Sequence, residues 1–170
     1  MSKDEVLELL RNLHFLHDID LVDLDQLASL ARSRQLHAGE VVFREGDVIN
    51  EIYLVHSGKV ALEICAPSVG CKRILTAGEG DLLGWSPLLG GTALTATART
   101  LTPTQVVAID AQRLLALCED NPSIGYDFMR RIAQELALRL NATRLQLLDI
   151  FGTQMPAGLE LDAGEEGGVQ

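Results

Sequence analysis

The chain has 170 residues, 47% of them hydrophobic, three cysteines and a net charge of −10, which suits one packed domain with appendages. The acidity argues against nucleic-acid binding by this chain alone, because such binding needs a basic face. No apolar run nears the roughly 18 residues required to cross a bilayer, so no membrane partner is expected and a cytoplasmic protein is the simplest reading.

The first segment, residues 1–34, is helical in pattern. "DEVLELLRN" and "DLVDLDQLASLARS" repeat apolar residues at helical spacing, the second running from Asp20 to Ser33. Phe15 and Leu16, between them, are expected to plug a core. The charged start carries no signal-peptide core.

From Gln35 the period changes. Short β-like runs alternate with glycine or polar punctuation, and nine of the fifteen glycines fall between Gly39 and Gly91. "TATART" and "TQVVAI" add two more strands. About eight short strands between turn signals predict a sandwich or jelly roll over 35–110. Cys65 and Cys71 flank "APSVG", a hairpin loop by composition, and are expected to lie near each other on two strands. The favoured reading is a pair of small half-buried strand residues, with a redox pair as the alternative. An odd, low cysteine count argues against a disulfide framework.

Asp110 is an N-cap for "AQRLLALCED". Asn121 and Pro122 then supply a second cap and first-turn pair for a helix running to about Phe151. Within it Tyr126, Met129, Ala133, Leu136, Leu140, Thr143, Leu147 and Ile150 are spaced alternately by three and four. That a/d seam predicts a homodimer. Leu138, Leu145 and Leu148 form a further stripe, and Phe128 and Ile132 lie nearer the helix start. The remaining residues, 153–170, include Glu160, Asp162, Glu165 and Glu166 without a Lys or Arg and read as a disordered acidic tail.

Taken together this order resembles the cyclic nucleotide-binding domain, and more narrowly the sensor half of Crp/Fnr-type bacterial regulators. The resemblance is carried by "AGEVVFREGD" (38–47), "IYLVHSGKV" (52–60), "GEGDLLG" (78–84) and "VVAID" (106–110). It implies a double-stranded β-helix (jelly roll), mainly β with flanking helices, a long dimerisation helix and a non-catalytic sensing role. It also implies a phosphate-binding cassette at 80–99. In that family a Gly-Glu pair opens a short helix and binds the ribose. An Arg about ten residues on, followed by small hydroxyl residues, neutralises the cyclic phosphate.

The cassette departs from this pattern at both polar anchors. Gly84 matches the Gly, but Trp85 stands where the Glu belongs. Thr95, Ala96 and Thr97 match the small residues, but Leu94 stands where the Arg belongs. Arg99, five positions on, points to the opposite strand face. Ser86 is expected to cap the short helix and Pro87 to start it, aiming N–H groups at the pocket. A charge-assisted hydrogen bond contributes about 1.5–3 kcal/mol. Losing both anchors therefore costs on the order of 3–6 kcal/mol, or roughly two to four decades in affinity. Tight cyclic AMP binding is not expected.

The candidate ligand site is thus Gly84, Trp85, Ser86, Leu94, Thr95 and Thr97, for a cyclic nucleotide or another small ligand, with Trp85 as its wall or as a plug filling the old cavity. The alternative is a ligand-free dimeric scaffold. The tail is too short and too acidic for the helix-turn-helix that follows the long helix in these regulators, so output is expected to pass through a protein partner. His14, His17, His37 and His56 sit in four separate contexts. They are read as surface or core residues, with a metal or haem role as the lesser alternative. No enzymatic motif is present, and no resident cofactor or metal is expected.

Overall fold

The computed structural model describes residues 2–68 and 70–152, so the tail expected after residue 152 lies outside the described residues. The chain forms two compact units that divide between Glu135 and Leu136.

In the first unit, α1 (Lys3–Arg11) begins with a capping box. The Ser2 hydroxyl accepts from Glu5 N–H at 3.3 Å and the Glu5 carboxylate accepts from Ser2 N–H at 2.8 Å. Its buried residues, Val6 and Leu10, are one turn apart. A short 3-10 turn then buries Phe15 and Leu16, as expected. The helix α2 (Leu21–Ala28) is capped by Asp20, whose side chain accepts from Asp23 N–H. It stops well short of Ser33. Arg32 and Ser33 instead lie in β1 (Ala31–Leu36), in antiparallel register with β8. That pairing overrides the helical spacing of the local sequence.

Seven further strands follow: β2 (Val41–Phe43), β3 (Glu51–Ser57), β4 (Val60–Ala66), β5 (Gly70–Ala77), β6 (Leu82–Leu83), β7 (Thr97–Thr100) and β8 (Thr104–Asp110). They make two four-stranded sheets, ordered β1-β8-β3-β6 and β2-β7-β4-β5. This is the expected jelly roll. The strand β8 shows why it holds. Val106, Val107, Ala108 and Ile109 are all essentially inaccessible. Val106 and Ala108 join the core of the roll with Phe43, Tyr53, Val55 and Leu62. Alternation turns Val107 and Ile109 to the other face, where α1 packs against β1 and β8. Both faces of β8 are therefore buried. At the β3–β4 turn Gly58 has φ +93°, and a Cβ there would stand 2.6 Å from the Pro103 carbonyl oxygen. Only glycine fits.

The helix α3 (Ala111–Asp120) starts where expected, with the Asp110 carboxylate accepting from Arg113 N–H at 2.8 Å. The helix α4 (Pro122–Gly152) follows, with Asn121 Oδ1 accepting from Ile124 N–H. Its first turns bury Ile124, Phe128 and Ile132, and Phe128 meets Phe15 edge-on at 5.5 Å between ring centroids. Arg131 donates through Nη1 to the Phe15 carbonyl at 2.8 Å and through Nη2 to the His17 carbonyl. In the second unit, Leu138, Leu140, Leu145, Leu147 and Leu148 are all exposed. Among the described residues no helix is long and apolar enough to cross a membrane.

Candidate functional site

The cassette begins where β6 leaves the first sheet. Pairing of Leu82 with Leu54 and Leu83 with Tyr53 carries the chain to Gly84. Gly84 has φ +69°, and a Cβ on it would lie 2.8 Å from Ile49 Cδ1 and 3.3 Å from Phe43 Cε1. The left-handed backbone favours a glycine here, and an added Cβ would press on the tip of the Ile49 side chain, which gives the "GDLLG" ending a structural cause.

Trp85 follows in helical conformation and stands at the N-cap of a 3-10 turn of three residues, Ser86–Leu88. The expectation that Ser86 caps this turn is therefore corrected. Ser86 is the first residue inside it. Its hydroxyl donates to the Thr92 carbonyl and lies 3.3 Å from the Thr92 hydroxyl. The Ser86 carbonyl in turn accepts from Leu89 and Gly91 N–H. Ser86 thus closes the loop 86–92 on itself, and so short a turn has no helix dipole to offer an anion. Trp85 is half-buried, neither a fully buried plug nor a free surface residue.

Leu94 is held at both backbone ends. Its N–H donates to the Asp47 carbonyl at 2.9 Å, and its carbonyl accepts from Gly46 N–H at 2.8 Å. These bonds aim its side chain inward, where it is 9% exposed and joins the core of Phe43, Tyr53, Leu62, Leu83 and Ala98. Thr95 is exposed. Thr97 is buried, and its hydroxyl accepts from Glu45 N–H at 3.0 Å. The structure thus brings Gly84 and Leu94 to one apolar wall and sets Thr95 outside it. Thr97 and Ser86 each have a hydroxyl engaged within the protein.

Arg99 is engaged within the protein. Its Nε donates to Glu63 at 3.4 Å and its Nη1 to the Gly39 carbonyl at 3.2 Å. Tyr53 lines the same interior. Burial, reinforced by the Glu51 carboxylate, raises its phenol pKa, which keeps it a neutral hydroxyl. The guanidinium of Arg34 sits 5.8 Å from its ring centroid. Glu45 and Asp47 bind the cassette, yet sequence reasoning gave them no role. The available signal was their place in "AGEVVFREGD" beside the tight turn at Gly46.

Two further expectations change. Cys65 and Cys71 are exposed rather than half-buried, and they are joined in a disulfide across directly opposed positions of β4 and β5. His14 and His17 share one context, with ring centroids 5.8 Å apart. Among the described residues no group of His, Cys, Asp or Glu is arranged to hold a metal ion. The seam residues Tyr126, Ala133, Leu140, Thr143 and Leu147 are exposed and Met129 and Leu136 half-buried, while the Ile150 side chain lies outside the described residues.

Comparison with known proteins fits this geometry. The profile of the cyclic nucleotide-binding domain matches residues 33–121. The CRP-like cAMP-activated global transcriptional regulator of Mycobacterium tuberculosis is 30% identical over 139 residues, covering 79% of this chain and 60% of that protein. The chain therefore spans about three fifths of that relative's length. Among solved structures, the Thermus thermophilus catabolite activator protein is similar at 28% identity and a TM-score of 0.65, covering 81% of this chain and 62% of that one. A cyclic nucleotide-binding domain from Methylobacillus flagellatus reaches a TM-score of 0.72 at 20% identity, covering 93% and 86%, a likeness of fold.

Proposed function

The chain belongs to the cyclic nucleotide-binding domain family, and on that premise we propose that it is a non-catalytic, homodimeric sensing module whose cassette no longer grips a cyclic phosphate. The observation that carries this reading is Leu94. Where the family's cassette presents an Arg to the phosphate, this chain turns an aliphatic side chain into the core beside Phe43 and Tyr53. The Mycobacterium tuberculosis relative is named as cAMP-activated. A ligand here would be less anionic and more apolar, bounded by Trp85 and by the wall that Gly84 lets close. Signal output would pass to a protein partner, since the net charge of −10 disfavours nucleic acid.

A second reading has its own support. One hydroxyl each of Ser86 and Thr97 is already engaged inside the protein, as suits a ligand-free dimeric scaffold. One experiment separates the two and tests the first. The purified chain is titrated with cyclic AMP, cyclic GMP and a panel of apolar metabolites, while melting temperature and Trp85 fluorescence are followed. Trp85 is the sole tryptophan, so its emission reports this site. A sensor shows a dose-dependent rise in melting temperature and an emission change with an apolar ligand, and neither with cyclic nucleotides. Low-micromolar binding of either cyclic nucleotide refutes the proposal. No response to any compound favours the scaffold.

A further inference from the structure

The disulfide lies on the part of β4 that pairs with β5 but not with β7. The strand β4 pairs with β7 only from Val60 to Glu63, whereas its pairing with β5 continues to Ala66. Residues 64–66 therefore leave the sheet as a two-stranded ribbon, an arrangement of marginal stability in water. Cys65 and Cys71 face each other on the penultimate rung of that ribbon and are both exposed. They are six residues apart in sequence, so the loop they close is short and restrains the unfolded chain little. Both sulfurs are outside the core, and exposed disulfides are the labile and regulatory ones. Cys118 differs. It is a free thiol, half-buried, and burial raises its pKa, which leaves it poorly reactive.

The ribbon is wired to the cassette. Cys65 N–H donates to the Glu45 carboxylate at 3.3 Å, and Glu45 N–H donates to the Thr97 hydroxyl at 3.0 Å. The next residue, Gly46, donates to the Leu94 carbonyl. One residue, Glu45, thus joins the disulfide's own backbone to the buried hydroxyl of β7.

We propose that Cys65–Cys71 is a reversible thiol–disulfide site, reduced by a low-molecular-weight thiol, whose state sets the order of the ribbon and, through Glu45, of Thr97. In the forward step a thiolate attacks one sulfur. The Cys65–Cys71 bond breaks, a mixed disulfide forms, and the other cysteine leaves as a thiolate that takes a proton. A second thiol attacks the mixed disulfide, releasing the oxidised disulfide of the small thiol and the second cysteine. Two electrons pass from two thiols to the protein disulfide. The proposal stands whether or not the pocket binds a ligand, since its readouts are thiol labelling and amide exchange.

The test uses the full native chain in reduced glutathione, then in dithiothreitol, each followed by alkylation and mass spectrometry, with hydrogen exchange measured in parallel. Two labels are expected, on Cys65 and Cys71 and not on Cys118. The amides of Cys65 and Glu45 should exchange at least tenfold faster in the reduced protein. The double variant Cys65→Ser, Cys71→Ser should show the fast exchange in every buffer. Labelling that requires denaturant would make the disulfide purely structural and overturn the proposal. Native labelling without faster exchange at Glu45 would overturn the coupling.

Discussion

Replacing Leu94 with Ala distinguishes a wall that belongs to the core from one that borders an open pocket. The change removes three carbons from a side chain that is 9% exposed. At about 0.8 kcal/mol for each buried methylene, the transfer loss is roughly 2 kcal/mol. If Phe43, Tyr53, Leu62 and Ala98 surround the side chain on all sides, the vacated space cannot collapse fully. The cavity contribution then raises the loss to about 3–4 kcal/mol. The backbone bonds to Asp47 and Gly46 survive the substitution, so the loss reports packing alone. Urea unfolding followed by circular dichroism measures it as a fall in the midpoint with an unchanged slope. A loss below about 1 kcal/mol would refute the reasoning, because it would mean that Leu94 already faces empty space. That outcome would favour an open pocket at the family's phosphate position.

Gly84→Ala should destabilise by about 1–3 kcal/mol, through the left-handed backbone and the 2.8 Å approach to Ile49, read in the same urea titration. Leu140→Glu should halve the solution mass seen by light scattering at tens of micromolar, by placing two carboxylates face to face in an apolar seam. If the unaltered chain is already monomeric there, the dimer reading fails.

Local chemistry was the legible part of the fold. Asp110 and Asn121 announced their helices because a cap needs only neighbours within three residues. The glycines marked the turns of the roll for the same reason. The end of α2 was hidden, since Ala31 becomes a strand by pairing with Ile109, far along the chain. Ser86 was misread because a Ser-Pro pair suggests a cap, while its actual partner is brought round by the loop to Thr92. The nearness of Cys65 and Cys71 was legible from the hairpin composition. Their exposure was not, because it depends on where β7 ceases to pair with β4. At the candidate site the sequence shows that Trp85 and Leu94 depart from the pattern the resemblance implies. The inward turn of Leu94 depends on Asp47 and Gly46, whose contact with it no spacing rule supplies.

The anchoring of the first turns of α4 fixes their azimuth. An α-helix advances about 100° per residue, so once Ile124, Phe128 and Ile132 are committed inward, the bearing of every other side chain from Pro122 to Glu135 is settled. Arg131, held by the carbonyls of Phe15 and His17, acts as a key in a slot and resists rotation about the axis. Tyr126, 69% exposed, begins the outward seam on a bearing dictated by what its neighbours bury. The inner face of these first turns thus sets the clock by which their outer face is read.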